Sequence, residues 1–292
     1  MGNDYLKTAY CSPLRYPGGK NLIFDFISAT IRNNGLIGID YAEPYAGGAG
    51  LALRLLFNEY VSKIFINDLD PAIYSLWKII LDEPDRFCSW IEDVPLTIEE
   101  WKKHKQIQSE INKHSLDEIA KSTFYLNRTN VSGVIKGGVI GGLDQKGKYK
   151  INARFNRSSL ISKVQDISNY RSRITLSNLD GIKFVEKMNR RSKQTLIYLD
   201  PPYYQKGSRL YMNYYIDKDH AKLAEKIKTL SAPWITSYDN HEFIKSLYPS
   251  FKKYSYKISQ NTSNRIGDEI LIFSNKIQPD DSICYLDSAL AI

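Results

Sequence analysis

Cysteine and histidine are scarce in this chain of 292 residues. The three cysteines, Cys11, Cys88 and Cys284, lie far apart and form no C-x-x-C pair. That spacing argues against a disulfide framework and against a zinc site. The four histidines are scattered as well. We therefore expect a protein of the cytosol that holds no metal.

Long apolar segments are missing too. No run reaches the ~18 apolar residues that a transmembrane helix needs, so we expect no membrane span. The first residues, MGNDYLKTAYCSPLRYPGGK, lack the apolar stretch of a secretory signal. The apolar content of 42% is ordinary for a globular core.

Acidic residues are nearly absent from one part of the chain. The net charge of +8 indicates little beyond solubility by itself. The stretch 128–163, however, has Asp144 as its single acidic residue. Its basic residues are Arg128, Lys136, Lys146, Lys148, Lys150, Arg154, Arg157 and Lys163. A stretch of one charge sign indicates a polyanionic partner.

Strand-like and helix-like segments alternate in the first 80 or so residues and again after about residue 172. Strands are predicted at 38–43, 63–67, 174–177, 195–199, 233–237, 252–258 and 270–274. Helices between them are predicted at 23–31, 51–59, 72–81, 181–190 and 218–230. Such alternation favours a mostly parallel, doubly wound sheet.

The alternation breaks between about residues 84 and 172. Helical patterns at 97–113, 116–126 and 159–172 surround a glycine-rich, basic segment at 133–157. We interpret 84–172 as an insertion beside the sheet. The alternative is that it is more of the same domain.

A glycine turn follows the first strand in "YAEPYAGGAGLALRLL", residues 41–56. The strand ends at Glu43, and glycines at 47, 48 and 50 precede a helix. Glycines at the carboxyl end of a strand let a ligand approach the backbone closely. The motif G-x-G-x-x-G is absent, which argues against a dinucleotide site and a nicotinamide oxidoreductase.

Two aspartates follow the second strand in "KIFINDLDPAI", residues 63–73. An acidic group at this place can accept hydrogen bonds from both hydroxyls of a ribose. Pro71 suits the first turn of a helix, so the aspartate before it suits the cap. We assign the ribose to Asp68 and the helix cap to Asp70.

The segment "TLIYLDPPYYQKG", residues 195–207, ends an apolar strand with Asp200-Pro201-Pro202-Tyr203. Two prolines cannot continue a central strand. If S-adenosylmethionine binds at the glycine turn, the acceptor lies at this strand end. The Asp200 carboxylate and the Pro201 carbonyl would face an adenine amine and free its lone pair. Tyr203 would stack on a base taken out of the duplex.

Four ordered motifs carry a family resemblance: Tyr16-Pro17-Gly18-Gly19-Lys20, Glu43-Pro44-Tyr45-Ala46-Gly47-Gly48-Ala49-Gly50, Asn67-Asp68 and Asp200-Pro201-Pro202-Tyr203. Together they resemble the Dam-type DNA N6-adenine methyltransferases, as far as about residue 275. The resemblance implies an α/β fold, namely a Rossmann-like methyltransferase sheet with a helical or β-hairpin target-recognition insertion.

The resemblance also implies site residues and S-adenosylmethionine as methyl donor. The implied catalytic residues are Asp200, Pro201, Pro202 and Tyr203. The implied donor-binding residues are Tyr16, Lys20, Glu43, Pro44, Tyr45, Gly47, Gly48, Gly50, Asp68, Asp180 and Asp200.

The family's recognition hairpin would fall within residues 126–157. Arg128 can present two donors to guanine, and Asn127 or Asn130 can do the same for adenine. Contacts to phosphates are expected from Lys136, Lys146, Lys148, Lys150, Arg154 and Arg157. Arg265 lies in a second polar loop. It could contact the DNA backbone, or the segment could be just a loop, and the sequence favours neither. The alternative for 126–157 is a solvated, flexible loop.

We therefore expect a catalytic domain at 1–83 and 173–278, a recognition insertion at 84–172 and a tail at 279–292. The expected enzyme methylates N6 of adenine at a specific site in double-stranded DNA, by base flipping. It would be a monomer or weak dimer in the cytoplasm of a bacterial or phage-infected cell, with or without a cognate restriction endonuclease. The rivals are methylation of cytosine N4 or RNA, and a DNA-binding module with an inactive core.

Overall fold

The computed structural model describes residues 11–15, 20–191, 193–205, 215–260 and 265–292, without the side chains of 258–260, 265 and 266. These residues divide into two compact units. The sheet unit comprises 20–69 and 173–292, and the helical unit comprises 11–15 and 70–172. Within these ranges, every helix falls short of the length and apolarity that a membrane crossing requires.

One sheet of eight strands forms the centre of the sheet unit, in the order β3-β2-β1-β4-β5-β7-β6-β8. The strands are β1 (Ile39–Glu43), β2 (Val61–Asn67), β3 (Ile174–Ser177), β4 (Thr195–Leu199), β5 (Trp234–Asp239), β6 (Lys253–Gln260), β7 (Arg265–Phe273) and β8 (Leu290–Ala291). The helices of the two units are α1 (Phe24–Asn33), α2 (Gly50–Phe57), α3 (Pro71–Asp82), α4 (Pro84–Asp93), α5 (Ile98–Ser109), α6 (Leu116–Thr129), α7 (Arg157–Asn169), α8 (Gly181–Asn189), α9 (Asp217–Lys228) and α10 (Glu242–Ser246).

The first five strands pair in parallel, as expected for a Rossmann-like sheet. The order reverses between β1 and β4, so their carboxyl ends lie side by side at a topological switch point. Both strands are buried along their whole length, as strands inside a parallel sheet are. β4 is almost entirely apolar, whereas β1 contains the buried acidic residues Asp40 and Glu43. Ligands of open α/β sheets bind in the crevice at such a point.

The last three strands are antiparallel, which the alternation of strands and helices does not predict. β7 pairs with β5 on one side and with β6 on the other. Residues 279–292, expected to be a tail, belong to the sheet unit and contain β8, which pairs with β6. Tyr254 of β6 also donates to Asp280 at 2.5 Å.

The core of the sheet unit lies between the sheet and helices α8 and α9. Ile197 and Leu199 of β4 pack there with Trp234 of β5. The helices contribute Phe184 and Leu223 to the same cluster. All five side chains are essentially inaccessible to water, so burial of apolar surface holds this layer together.

The helical unit is a set of packed helices in which α3 and α5 lie against α6 and α4 lies against α7. Its core is aromatic, with the rings of Phe87 and Phe124 5.1 Å apart edge to face. α3 packs on α6, and the main segment of this compact unit accordingly starts at Asp70. The recognition insertion at 84–172 stays a prediction. α6 begins with a capping box between Ser115 and Glu118.

The basic segment of the helical unit contains turns and short 3-10 helices. An isolated antiparallel bridge joins Asn130 to Val139, and residues 131–156 hold no paired strands of a hairpin. Gly133, Gly141 and Gly142 adopt positive φ angles, which glycine tolerates best.

Candidate active site

The glycine turn after β1 is fixed to the end of β2. Gly47 has a φ of 45° and donates its N–H to Asp68 Oδ2 at 2.9 Å. Ala49 is left-handed with a φ of 46°, and α2 begins directly after it. The ribose role of Asp68 stays a prediction, and the structure brings its carboxylate to the turn. Asp70 caps α3 by accepting from Ala72 N at 2.8 Å, which confirms that prediction.

Asn67 joins the loops that follow three neighbouring strands. Its amide nitrogen donates to the carbonyls of Pro44 and Leu179, both at 2.9 Å. Its oxygen accepts from Leu179 N at 2.8 Å. The sequence motif contains Asn67, but sequence reasoning gave it no task. Its task is to hold the ends of β1, β2 and β3 in register.

Asp180 caps α8 and accepts from Ile182 N and Lys183 N. A Cβ atom on the next residue, Gly181, would lie 2.5 Å from the hydroxyl of Tyr45. The side chain of Tyr45 therefore lies directly against the start of α8. Asp180, Tyr45 and the glycine turn thus belong to one region of the sheet unit.

Asp200 follows β4 directly, and two side chains hold its carboxylate. Oδ1 accepts from Ser237 Oγ at 2.8 Å and lies 3.0 Å from Lys20 Nζ. Ser237 in turn accepts from the buried hydroxyl of Tyr198 at 3.0 Å. Burial raises the pKa of Asp200 above its usual value, while the positive charge of Lys20 opposes this shift.

Lys20 is buried between two carboxylates. Its Nζ lies 3.0 Å from Asp200 Oδ1 and 3.4 Å from Glu269 Oε2, and it donates to Tyr203 OH at 2.9 Å. Burial alone would lower the pKa of Lys20, but Asp200, Tyr203 and Glu269 together raise it well above its usual value. Lys20 therefore carries its charge throughout the range of physiological pH.

Glu269 of β7 completes this network, and sequence reasoning missed it. It is 2% exposed and accepts from Tyr203 OH at 2.6 Å and from Tyr256 OH at 2.7 Å. The predicted strand began at residue 270, so no motif marked Glu269. The only sequence signal for Glu269 is that an acidic residue stands within a strand of alternating pattern.

Tyr203 belongs to this network rather than to an open surface. Its side chain is 5% exposed, and its hydroxyl both accepts from Lys20 and donates to Glu269. The stacking face predicted for this ring is therefore buried in the structure. Pro201 and Pro202 are buried beside it. Among the described residues, none donates a hydrogen bond to the Pro201 carbonyl.

The loop that follows Pro201 and Pro202 is held by a residue of β5. Asp239, at the end of β5, accepts from Tyr204 N at 2.8 Å and from Gln205 N at 2.9 Å. Sequence reasoning missed this aspartate too, because its partners are main-chain groups far away in the sequence. Tyr16, which was predicted to bind the donor, lies outside the described residues.

Glu43, at the end of β1, is buried and accepts from Tyr41 OH at 3.0 Å. Burial raises its pKa to about 8, helped by the nearby charge of Asp200 and opposed by the hydrogen bond from Tyr41. Near neutral pH this carboxyl group is therefore mostly protonated. Pro44 and Gly48 lie in the turn between Glu43 and α2, and Gly50 is the first residue of α2.

The helical unit gives Asn127 and Asn130 structural tasks. Asn127 accepts from Arg15 N at 2.8 Å and donates to the carbonyls of Arg15 and Gly133. Asn130 accepts from Trp101 Nε1 at 2.7 Å and donates to two carbonyls of its own turn. Both side chains are buried, and neither amide is left to meet an adenine edge.

The basic residues predicted to meet DNA fall into two groups. Arg157 donates to the carbonyls of Ile91 and Val94 at the end of α4, a structural role in place of a phosphate contact. Arg128 is half-buried and donates from Nε to the Arg154 carbonyl at 2.7 Å. The exposed side chains are those of Lys136, Lys146, Lys148, Lys150 and Arg154. The side chain of Arg265 lies outside the described residues.

Comparison with known proteins adds one finding. The sequence model of a protein family described as D12 class N6 adenine-specific DNA methyltransferase matches residues 16–263, more than half of the chain. The match spans the glycine turn, Asp200 and residues 70–172 of the helical unit. A search of curated proteins found no match.

Proposed function

The chain belongs to the D12 class N6 adenine-specific DNA methyltransferases, and from this premise we propose how it works. It is an adenine-specific DNA methyltransferase, and its family generally uses S-adenosylmethionine. We propose S-adenosylmethionine as the donor of this chain, and one adenine within a specific site of double-stranded DNA as the acceptor. The sheet unit carries the chemistry.

The residues at the switch point fit a nucleoside-containing donor. Carboxylates follow β2 and β3, at Asp68 and Asp180, and the glycine turn follows β1. Gly47 has no side chain and holds its N–H on Asp68, so the carboxylate is fixed where a ribose could meet it. Lys20 and Tyr45 would lie near the same ligand. S-adenosylmethionine supplies a methyl group activated by a positively charged sulfur.

The observation that supports adenine as acceptor is the setting of Asp200 at the adjoining strand end. Its carboxylate is held by Lys20 and Ser237, and the Pro201 carbonyl next to it has a fixed backbone. Two acceptors of this kind can receive both N–H groups of an exocyclic amine. The lone pair of the amine is then turned away from the ring and toward the donor. Such fixed positioning is the main contribution of the protein.

The proton must leave the nitrogen after methylation. Asp200 is the nearest base, because its carboxylate accepts that N–H from the start. Burial already raises the pKa of Asp200, which makes it a better base than an exposed aspartate. Lys20 stays charged and limits that rise.

An adenine amine stacked within a duplex cannot reach the half-buried carboxylate of Asp200 at the strand end. We therefore propose that the base is flipped out of the stack. Exposed Lys136, Lys146, Lys148 and Lys150 of the helical unit would contact phosphates. The cell would be a bacterium or a phage-infected one, and a cognate endonuclease would be blocked at the methylated site.

The test is methyl transfer by the purified chain from radiolabelled S-adenosylmethionine to mixed-sequence duplex DNA. Nucleoside analysis should find N6-methyladenine, and Asp200→Asn should lower the rate at least 100-fold. Asp25→Asn changes the same group on an exposed face of α1 and should leave the rate unchanged. N4-methylcytosine as product would favour the cytosine rival. Absence of transfer by the parent chain to any DNA would end the proposal.

A further inference from the structure

Four basic side chains of the helical unit lie close together and are here called the basic cluster: Arg15, Arg128, Arg154 and Lys163. Arg128 is the centre, since its Nε donates to the Arg154 carbonyl at 2.7 Å. The charges of Arg15 and Arg154 act on Arg128, and that of Arg128 acts on Lys163. Three of the side chains are half-buried, and Arg154 is exposed.

The cluster contains no acidic partner. Across the described residues, no carboxylate lies within ion-pair distance of any of the four. Elsewhere in the same unit basic groups are paired, as in Arg171 with Asp82 at 3.0 Å. The four charges of the cluster thus face one another without such a partner.

Neutral carbonyl groups accept hydrogen bonds from some of the donors of the basic cluster. Lys163 Nζ donates to Ser12 O at 3.3 Å, and Arg128 donates to Pro13 O at 3.4 Å. Arg15 donates from one terminal nitrogen to Asn130 O at 3.0 Å. These bonds use a minority of the donors that two guanidinium groups carry, five each. They also leave the repulsion among the charges in place.

Holding like charges together away from water is unfavourable. Burial, followed by the neighbouring arginines, lowers the pKa of Arg128 to about 10, and burial is the main cause of the lowered pKa of Lys163. An anion with several acceptor oxygens would remove this repulsion and use the remaining donors.

We propose that the basic cluster is a binding site for a phosphodiester of the DNA backbone, with Arg15 and Lys163 as ligands beside Arg128 and Arg154. The inference rests on DNA being the substrate, as proposed above. It changes the role expected of Arg128, because Nε and one terminal nitrogen already donate to carbonyls. The fork that Nε forms with a terminal nitrogen is then not free to read guanine.

The first experiment uses Lys163→Met and measures two quantities. The melting temperature of the DNA-free protein should rise, because one of several repelling charges is removed. The affinity for a mixed-sequence DNA duplex should fall, and the slope of log Kd against log salt should shrink by about 0.9, one phosphate contact. Lys222→Met removes the same charge from an exposed position of α9 and should change neither quantity.

A purely structural role predicts the opposite sign. If Lys163 serves only to hold Ser12, its removal should lower the melting temperature and leave the salt slope unchanged, and that result would overturn the proposal. Arg154→Gln, at an exposed position without a described side-chain bond, is the second variant. It should reduce the slope by a similar amount without loss of folding.

A further arm separates DNA from free phosphate. The melting temperature of the parent chain is compared in phosphate and chloride at equal ionic strength. Phosphate could stabilise the parent chain while both variants keep the parent's slope of log Kd against log salt. That result would assign the cluster to a free anion and reject the DNA contact. The parent chain could transfer no methyl group while both variants still show reduced salt slopes of DNA binding. That result would support the basic cluster and reject the proposed reaction.

Discussion

Glu269 accepts a hydrogen bond of 2.6 Å from the hydroxyl of Tyr203, the last residue of the D-P-P-Y tetrad. The same carboxylate lies 3.4 Å from the ammonium group of Lys20, which lies 3.0 Å from Asp200. A residue of an antiparallel strand thus shares the buried ammonium group of Lys20 with Asp200, the proposed catalytic carboxylate. We infer that Glu269 is a positioning residue, which would act on the substrate through Lys20 and Tyr203.

We predict that Glu269→Gln lowers the rate of methyl transfer by about tenfold or more. Glutamine keeps the shape of the side chain but removes the negative charge that shares Lys20 with Asp200. The positive charge of Lys20 then acts on Asp200 alone, which makes Asp200 a weaker base. Single-turnover kinetics should show the loss in rate, with little change in the KM for the donor. The pH dependence of that rate should shift toward lower pH.

The matched control is Asp268→Asn, the adjacent residue, which is exposed and binds Asn240 at 2.9 Å. It should behave as the parent chain. Equal rates for the two variants would show that Glu269 has no part in positioning Asp200.

Glu43 predicts a pH dependence of stability. Its folded pKa of about 8 lies above its unfolded value near 4.5, so the folded state holds a proton that the unfolded state releases. Stability must therefore fall as pH rises between these values, by on the order of a few kcal/mol. Glu43→Gln should remove this part of the pH dependence, as measured by denaturant unfolding between pH 5 and 8.

The comparison with the parent chain isolates Glu43 from the other titrating groups. Tyr41 keeps a hydrogen-bond acceptor in the glutamine variant. Parallel curves of stability against pH for the two proteins would mean that Glu43 ionises normally in the folded state.

Asn67→Ala should destabilise the sheet unit by about 3 kcal/mol. The change removes three hydrogen bonds and leaves the Pro44 and Leu179 groups unpaired in a buried place. Donor binding should weaken as well, because the loops after β1, β2 and β3 lose their common partner. Urea unfolding measures the first effect and calorimetry with S-adenosylmethionine the second. Asn152→Ala, at an exposed position, is the control, and equal stability of the two variants would refute the assignment.

Asn127→Ala and Asn130→Ala should lower the melting temperature without changing which adenines are methylated. Both amides bind main-chain groups in the interior of the helical unit. Sequencing of methylated sites in DNA from expressing cells measures the outcome. Lys148→Gln should do the reverse, with an unchanged melting temperature and a smaller salt slope of DNA binding. An altered site preference in a folded Asn127→Ala protein would restore this residue to base recognition.

Local signals were sufficient for much of the fold. The bounds of β3 and β4 agree with the sequence pattern, because short β-branched and apolar runs are stopped by polar residues or proline. The cap at Asp70 follows from Pro71 alone, since that proline can only sit in the first turn. The position of Asp200 at a strand end follows in the same way.

The remainder depends on contacts that no local pattern contains. Glu269 and Asp239 act on residues that lie 66 and 35 positions away in the chain. Asn127 looks like a base reader from its basic surroundings, but its place on the inner side of α6 decides its role. Helix α4 was not predicted, although Pro84 stands at its first turn.

The extension of the sheet by antiparallel strands also sets the order in which activity can arise. Lys20 lies near the beginning of the sequence and Glu269 near its end, and their ion pair needs β7 to be in place between β5 and β6. Contacts of such long range form late and cost the most loop entropy. A ribosome-bound chain can therefore have its parallel strands assembled while Lys20 still lacks Glu269, one of its two carboxylate partners. Methylation competence would be the last property that the nascent protein acquires.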